Sequence, residues 1–68
     1  MQIPAEVIAQ LVTRMDQIGK EQSGASYKYI GKLKQEIIED LAYDWVDKHP
    51  DTLWTGLELV EALKDISK

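Results

Sequence analysis

Cysteine is absent from this chain of 68 residues, and histidine occurs once, as His49. Without cysteine the chain can form neither disulfides nor thiolate-bound zinc sites. One imidazole alone provides no cluster for a transition metal. We therefore predict no metal and no cofactor. We expect the fold to depend on packed apolar faces, well-formed helix ends or association with another chain.

Long apolar runs are absent as well. No stretch approaches the ~20 apolar residues that a membrane-spanning helix requires. Residues 1–6 lack the basic stretch and the apolar block of a secretion signal. These absences predict a cytoplasmic protein that makes no membrane contact.

The apolar content of 44% is ordinary for a folded domain. The length fits a single domain, residues 1–68, and a domain this small buries only about 60% of the surface of its unfolded chain. The net charge of −4 is uneven, because residues 1–34 carry five basic and three acidic side chains and residues 35–68 carry three and nine. This balance counts against general nucleic-acid binding and leaves room for a local basic patch.

Apolar residues recur at helical spacing in three segments, which predicts helices over residues 4–18, 27–48 and 55–67. Pro4 suits the first helical position. Glycines and serines make residues 19–26 a flexible loop, with Gly19 as a helix stop and Ser26 as the next cap. No alternating pattern indicates a strand. The prediction is an all-α three-helix bundle with this core: Val7, Leu11, Met15, Ile18, Ile30, Leu33, Ile37, Leu41, Trp45, Leu59, Val60 and Leu63.

The third helix has the clearest start signal in the chain. Thr55 and Glu58 have the spacing of a capping box, in which each side chain satisfies a backbone N–H of the other residue. Trp54 and Leu59 have the spacing of a hydrophobic staple across the same helix start. We interpret these residues as determinants of the fold and not as a functional site.

The middle helix would be about 33 Å long, against roughly 20 Å for its neighbours. One of its ends should therefore project beyond them. A second copy of the chain could cover that end, so a homodimer is one open alternative.

The sequence contains no pattern that is typical of a catalytic site. Gly19 and Gly24 have the spacing of a phosphate-binding loop, but the Lys-Ser/Thr pair that should follow is missing. There is no cysteine nucleophile and no Gly-x-Ser-x-Gly turn. The carboxylates of the middle helix fall on its polar face, where no cleft is predicted to desolvate them. We predict that the chain is not an enzyme.

Binding of a protein partner is the favoured function. Tyr29 and Tyr43 are fourteen residues apart and should share one side of the middle helix, away from its apolar seam. Aromatic residues on a charged face are enriched where proteins meet partners. The competing interpretation is that each ring only covers neighbouring aliphatic stems. The predicted contact surface consists of Tyr29, Lys32, Glu36, Asp40, Tyr43 and Asp47.

Two alternatives for function remain open. A helix-turn-helix-like DNA regulator would use the lysines gathered around the start of the middle helix, which are Lys20, Lys28, Lys32 and Lys34. Against it, the preceding loop is longer than the usual three or four residues. The second alternative is an acidic inhibitor that mimics DNA with the carboxylates of the second and third helices.

Overall fold

The computed structural model describes residues 2–21, 24 and 27–67, with Tyr27 described by its backbone only. It contains three helices: α1 (Ala5–Glu21), α2 (Tyr27–Lys48) and α3 (Gly56–Ile66). There is no strand in the part of the chain that is described. The predicted all-α three-helix bundle is confirmed, and the molecule measures 41 × 18 × 18 Å. None of the described helices is both long and apolar enough to cross a membrane.

Helix α2 lies at the centre of the arrangement. It packs against both other helices, whereas α1 and α3 hardly meet each other. Glu6, at the start of α1, contacts Trp45 near the end of α2, so these helices are antiparallel. Gly56, at the start of α3, lies against Tyr43, so α3 also runs antiparallel to α2. Helices α1 and α3 are therefore parallel neighbours with an open groove between them.

The core forms where α2 meets both neighbours. Seven of the twelve predicted core residues are buried, and the other five, Met15, Ile30, Leu33, Leu41 and Trp45, are partly buried against them. Two further residues of α2, Ile38 and Ala42, are buried although they are not among the twelve. Helix α2 packs against two neighbours, so its buried face is broader than a single apolar seam.

Both ends of α1 differ from the prediction. The Pro4 carbonyl accepts hydrogen bonds from the N–H groups of Val7 (3.1 Å) and Ile8 (3.2 Å), so Pro4 precedes the first helical residue. The prediction that the loop begins at Gly19 is wrong, because α1 continues to Glu21. A glycine inside a helix costs only up to ~1 kcal/mol, which the buried face of the helix can offset.

The rest of the predicted loop is described at one position. Gly24 has φ = 95°, a backbone conformation that side-chain-bearing residues rarely adopt. The remaining loop positions 22, 23, 25 and 26, including the predicted cap Ser26, lie outside the described residues.

The cap of α3 is confirmed. Thr55 has an extended backbone, and its hydroxyl accepts a hydrogen bond from the Glu58 N–H at 3.1 Å. The reciprocal contact differs from the predicted one: the Thr55 hydroxyl donates to the Glu58 carboxylate at 2.9 Å. Ahead of the cap, the indole N–H of Trp54 donates to the Gln2 carbonyl at 3.2 Å, which ties this helix start to the N-terminal segment.

Replacing Thr55 by alanine should lower the free energy of unfolding by about 1 kcal/mol, because the Glu58 N–H loses its acceptor. Urea denaturation followed by circular dichroism measures this loss. Thr13→Ala is the matched control, since the Thr13 hydroxyl only donates to the Ala9 carbonyl within α1 and alanine is the better helix former. Equal losses from both substitutions would contradict the capping role.

Candidate interaction surface

The face of α2 opposite the core carries the predicted partner-binding residues, which we call the outer stripe. Their spacing of three or four residues places them on one side of the helix. All six are exposed: Tyr29, Lys32, Glu36, Asp40, Tyr43 and Asp47. The stripe holds one basic and three acidic side chains, and a tyrosine stands toward each end. The structure therefore brings the predicted residues together on one accessible surface.

Tyr43 also has a structural contact that the sequence did not indicate. A Cβ atom built on Gly56 would lie 2.3 Å from both Cδ1 and Cε1 of Tyr43. The ring thus covers the backbone at the start of α3, and only a residue without a side chain leaves room for it. This finding agrees in part with the competing interpretation, because one tyrosine of the outer stripe packs against its own chain.

Two exposed leucines lie close to Gly56 in the sequence. Leu57 follows Gly56 directly and is 64% exposed, and Leu53 in the preceding connector is 81% exposed. Tyr43 itself remains about half exposed. Leu57 and Leu53 are thus exposed apolar side chains close in sequence to the residue that Tyr43 covers. Neither leucine was predicted as a site residue, because each is an isolated apolar residue in the sequence.

The contact between Tyr43 and Gly56 predicts a coupled response to substitution. Gly56→Ala should destabilise the protein by about 1 kcal/mol, because the new methyl group displaces the Tyr43 ring. In a Tyr43→Ala background the same change should be neutral or stabilising, since alanine is the better helix former. A double-mutant cycle by urea denaturation measures the coupling, which should reach at least about 0.5 kcal/mol. Additive effects would mean that the ring does not rest on Gly56.

A second cleft lies between α1 and α2 and measures about 400 Å³. Its lining brings Arg14 of α1 near Asp40 and Asp44 of α2, both of which are exposed. Within the described ranges, no polar side chain is buried, and no group of three or more potential ligands could hold a metal ion. Asp40 therefore borders this cleft as well as belonging to the outer stripe. The interpretation as a DNA-mimicking inhibitor stays a prediction.

The four lysines predicted for DNA binding do not share one face. The Lys20 amino group lies 3.0 Å from the Asp16 carboxylate on α1. Lys34 lines the groove between α1 and the end of α3. It lies two positions after Lys32 and therefore on nearly the opposite side of α2. Lys28 and Lys32 are exposed, so the DNA-binding alternative stays a prediction with fewer residues on a common surface.

A polar cluster joins the start of α1 to the end of α2. The indole N–H of Trp45 donates to the Glu6 carboxylate. His49 stacks on the Trp45 ring with a centroid separation of 4.2 Å, and its Nε2 lies 3.6 Å from the same carboxylate. Sequence analysis missed this cluster, although a partly buried tryptophan needs an acceptor for its N–H. The cluster fixes how α1 begins against α2.

Comparisons with known proteins add no functional information. No protein-family model matches the chain, and no curated protein or solved structure matches it significantly.

Proposed function

We propose that this chain is a small, non-enzymatic protein-interaction module of the cytoplasm that binds its partner through the outer stripe of α2. The observation that supports the proposal is a set of three exposed apolar side chains, Tyr43, Leu57 and Leu53, of which Tyr43 lies on the charged face of α2 and packs on Gly56, directly before Leu57. Clustered exposed apolar side chains with a polar surround are typical of protein-binding surfaces. The lack of cysteine agrees with a reducing compartment.

The side chains of the outer stripe indicate which chemistry a matching partner surface would need. Tyr29 and Tyr43 are separated by fourteen residues, or about 21 Å along the helix. Between them lie Lys32, Glu36 and Asp40, and Asp47 lies beyond, so the stripe is net acidic. A matching surface would offer an apolar pocket for the Tyr43 and Leu57 side chains and basic groups at its rim, since aromatic anchors inside a polar rim are typical of interfaces.

Site-specific photocrosslinking in cells tests the proposal. A photoreactive amino acid at Leu57 or Glu36 should give a discrete adduct with one protein, because both positions lie on or beside the outer stripe. The same group at Gln17, which is exposed on α1, is the matched control and should not give that adduct. Tyr29→Ala should weaken the adduct formed from position 57. Equal adducts from position 17, or none from either stripe position, would contradict the proposal.

A further inference from the structure

Helix α1 carries a second apolar face beside the core, and the two share only the half-buried Met15. Val7, Leu11 and Ile18 point into the core. A separate set of residues, which we call the α1 seam, recurs at alternating steps of three and four residues: Ala5, Ile8, Val12, Met15 and Gly19. Val12 is 62% exposed, Ile8 is exposed, and Met15 is half-buried. Steps of three and four average 3.5 residues, which is the repeat of a helix that packs along another helix.

The α1 seam borders the groove between α1 and α3. This groove measures about 380 Å³, and its lining includes Ile8, Val12 and Met15 from α1 and Ile66 from α3. Ile66 is about half exposed there. The groove exists because α1 and α3 hardly touch each other. Its apolar walls are therefore open to another helix.

We propose that a second copy of this chain docks on the α1 seam, with the two α1 helices antiparallel and a twofold axis beside Val12. A twofold interface must be complementary to itself, because the same patch serves both copies. The seam meets this requirement through its order of side-chain sizes. Ala5 and Gly19 lie seven positions to either side of Val12, and the larger Ile8 and Met15 lie between. In the antiparallel arrangement, Ala5 of one copy faces Gly19 of the other.

The space beside the α1 seam and the lack of charge along it also favour a second copy of the chain as its occupant. Among the described residues, nothing lies within 4 Å of a Cβ atom built on Gly19, so their packing does not require a glycine there. Opposite Ala5 it allows close approach of two helix backbones. The seam itself carries no charge, and the adjacent Asp16 is already paired with Lys20 at 3.0 Å. Lys34 of α2 is a charged residue in the lining of the neighbouring groove. Two copies can therefore pair along the seam, which is symmetric in size, without bringing like charges of the seam together.

The area that the two copies would bury indicates how tightly they would bind. The seam runs the length of α1, about 25 Å, and the groove beside Ile66 widens it on each copy. A stable interface of standard size buries about 800 Å² per partner, and a single helix pair with one flanking groove falls below that. We therefore expect a reversible dimer that forms with rising concentration.

Sedimentation velocity from micromolar to millimolar concentration measures the dimer. Val12→Asp would bring two carboxylates together at the twofold axis and should raise the dissociation constant at least about tenfold. Leu57→Asp is the matched control, because Leu57 is 64% exposed, against 62% for Val12, and lies away from the seam. It should leave the dimer intact. A strict monomer at millimolar concentration, or an equal loss from both variants, would overturn the proposal.

A second variant distinguishes loss of the dimer from loss of the fold. In Gly19→Arg the new Cβ atom meets none of the described residues within 4 Å, and arginine improves helix propensity, so the melting temperature of the monomer should not fall. It should weaken the dimer, because the long side chain blocks the approach of Ala5 from the other copy. A Gly19→Arg protein that dimerises as the unmodified chain does would place the contact elsewhere.

Disulfide trapping tests the orientation, and the cysteine-free chain gives it a clean background. When Ala5→Cys and Gly19→Cys proteins are mixed and oxidised, the mixed disulfide should dominate over either homodisulfide. A parallel pairing would instead give the two homodisulfides. This inference does not rest on the proposed partner surface: Val12→Asp should weaken the dimer and leave photocrosslinking from position 57 unchanged, so the two proposals fail separately.

Discussion

Leu63→Ala should reduce the free energy of unfolding by about 2–5 kcal/mol. Leu63 lies on α3 with a relative exposure of 0% and belongs to the core cluster that unites the three helices. Truncation removes buried apolar surface and leaves a cavity that the surrounding helices fill only partly. No disulfide or described metal cluster offsets such a loss. Because small domains are only marginally stable, we expect a substantial unfolded fraction at room temperature.

Leu57→Ala is the control for this effect. It makes the same chemical change on the same helix, but Leu57 is 64% exposed. Its stability should stay within about 0.5 kcal/mol of the unmodified protein. Urea denaturation of both variants, read by circular dichroism, measures the difference. Comparable losses would mean that α3 does not present its Leu63 side to the core.

Ala42→Leu should destabilise the protein by about 1–3 kcal/mol, although it adds apolar surface. Ala42 is the only α2 residue in the core cluster with an exposure of 0%, so the core offers no space for the extra carbon atoms. Overpacking forces side chains off their rotamers or moves the helices apart. Thermal and urea unfolding should both show the loss. A gain in stability would show that a void lies beside Ala42.

Gly31→Ala on the same helix should act in the opposite direction. A Cβ atom at Gly31 would meet none of the described side chains within 4 Å, so we expect the added methyl group to be tolerated. Alanine inside a helix is favoured over glycine by up to ~1 kcal/mol. The pair of variants separates packing from helix propensity, because both add atoms to α2. If Gly31→Ala were destabilising, α2 would not be helical around this residue.

The local chemistry of the sequence was enough to predict the bounds of α2 and, to within one residue at each end, those of α3. Pro50 disfavours helical geometry in the residue before it, and α2 ends at Lys48. Thr55 offers the first acceptor for the N–H groups of α3, and it is the N-cap. The end of α1 was mispredicted because Gly19 is a weak stop signal, with a cost of only up to ~1 kcal/mol. Whether a helix ends at such a glycine depends on how the residues around it pack, and the local sequence does not show that.

The arrangement of the helices was not available from periodicity alone. The spacing of apolar residues defines an apolar side of α2, but it does not say where two neighbouring helices divide that side. Ile38 and Ala42 were therefore left out of the predicted core although they are buried. The same reason explains why Tyr43 was predicted as a partner contact without its contact to α3. Its contact with Gly56 joins residues from two helices, and no local pattern records such a contact.

The central position of α2 has a consequence for how the molecule opens. Since α1 and α3 each pack on α2 and hardly on each other, either one can swing away while the other pairing persists. Local opening free energies vary along such a chain. Amide hydrogens in the middle of α2, near Ile38 and Ala42, open only when both neighbours have left. They should exchange with deuterium most slowly, and the amides of α1 and α3 should exchange as two separate groups.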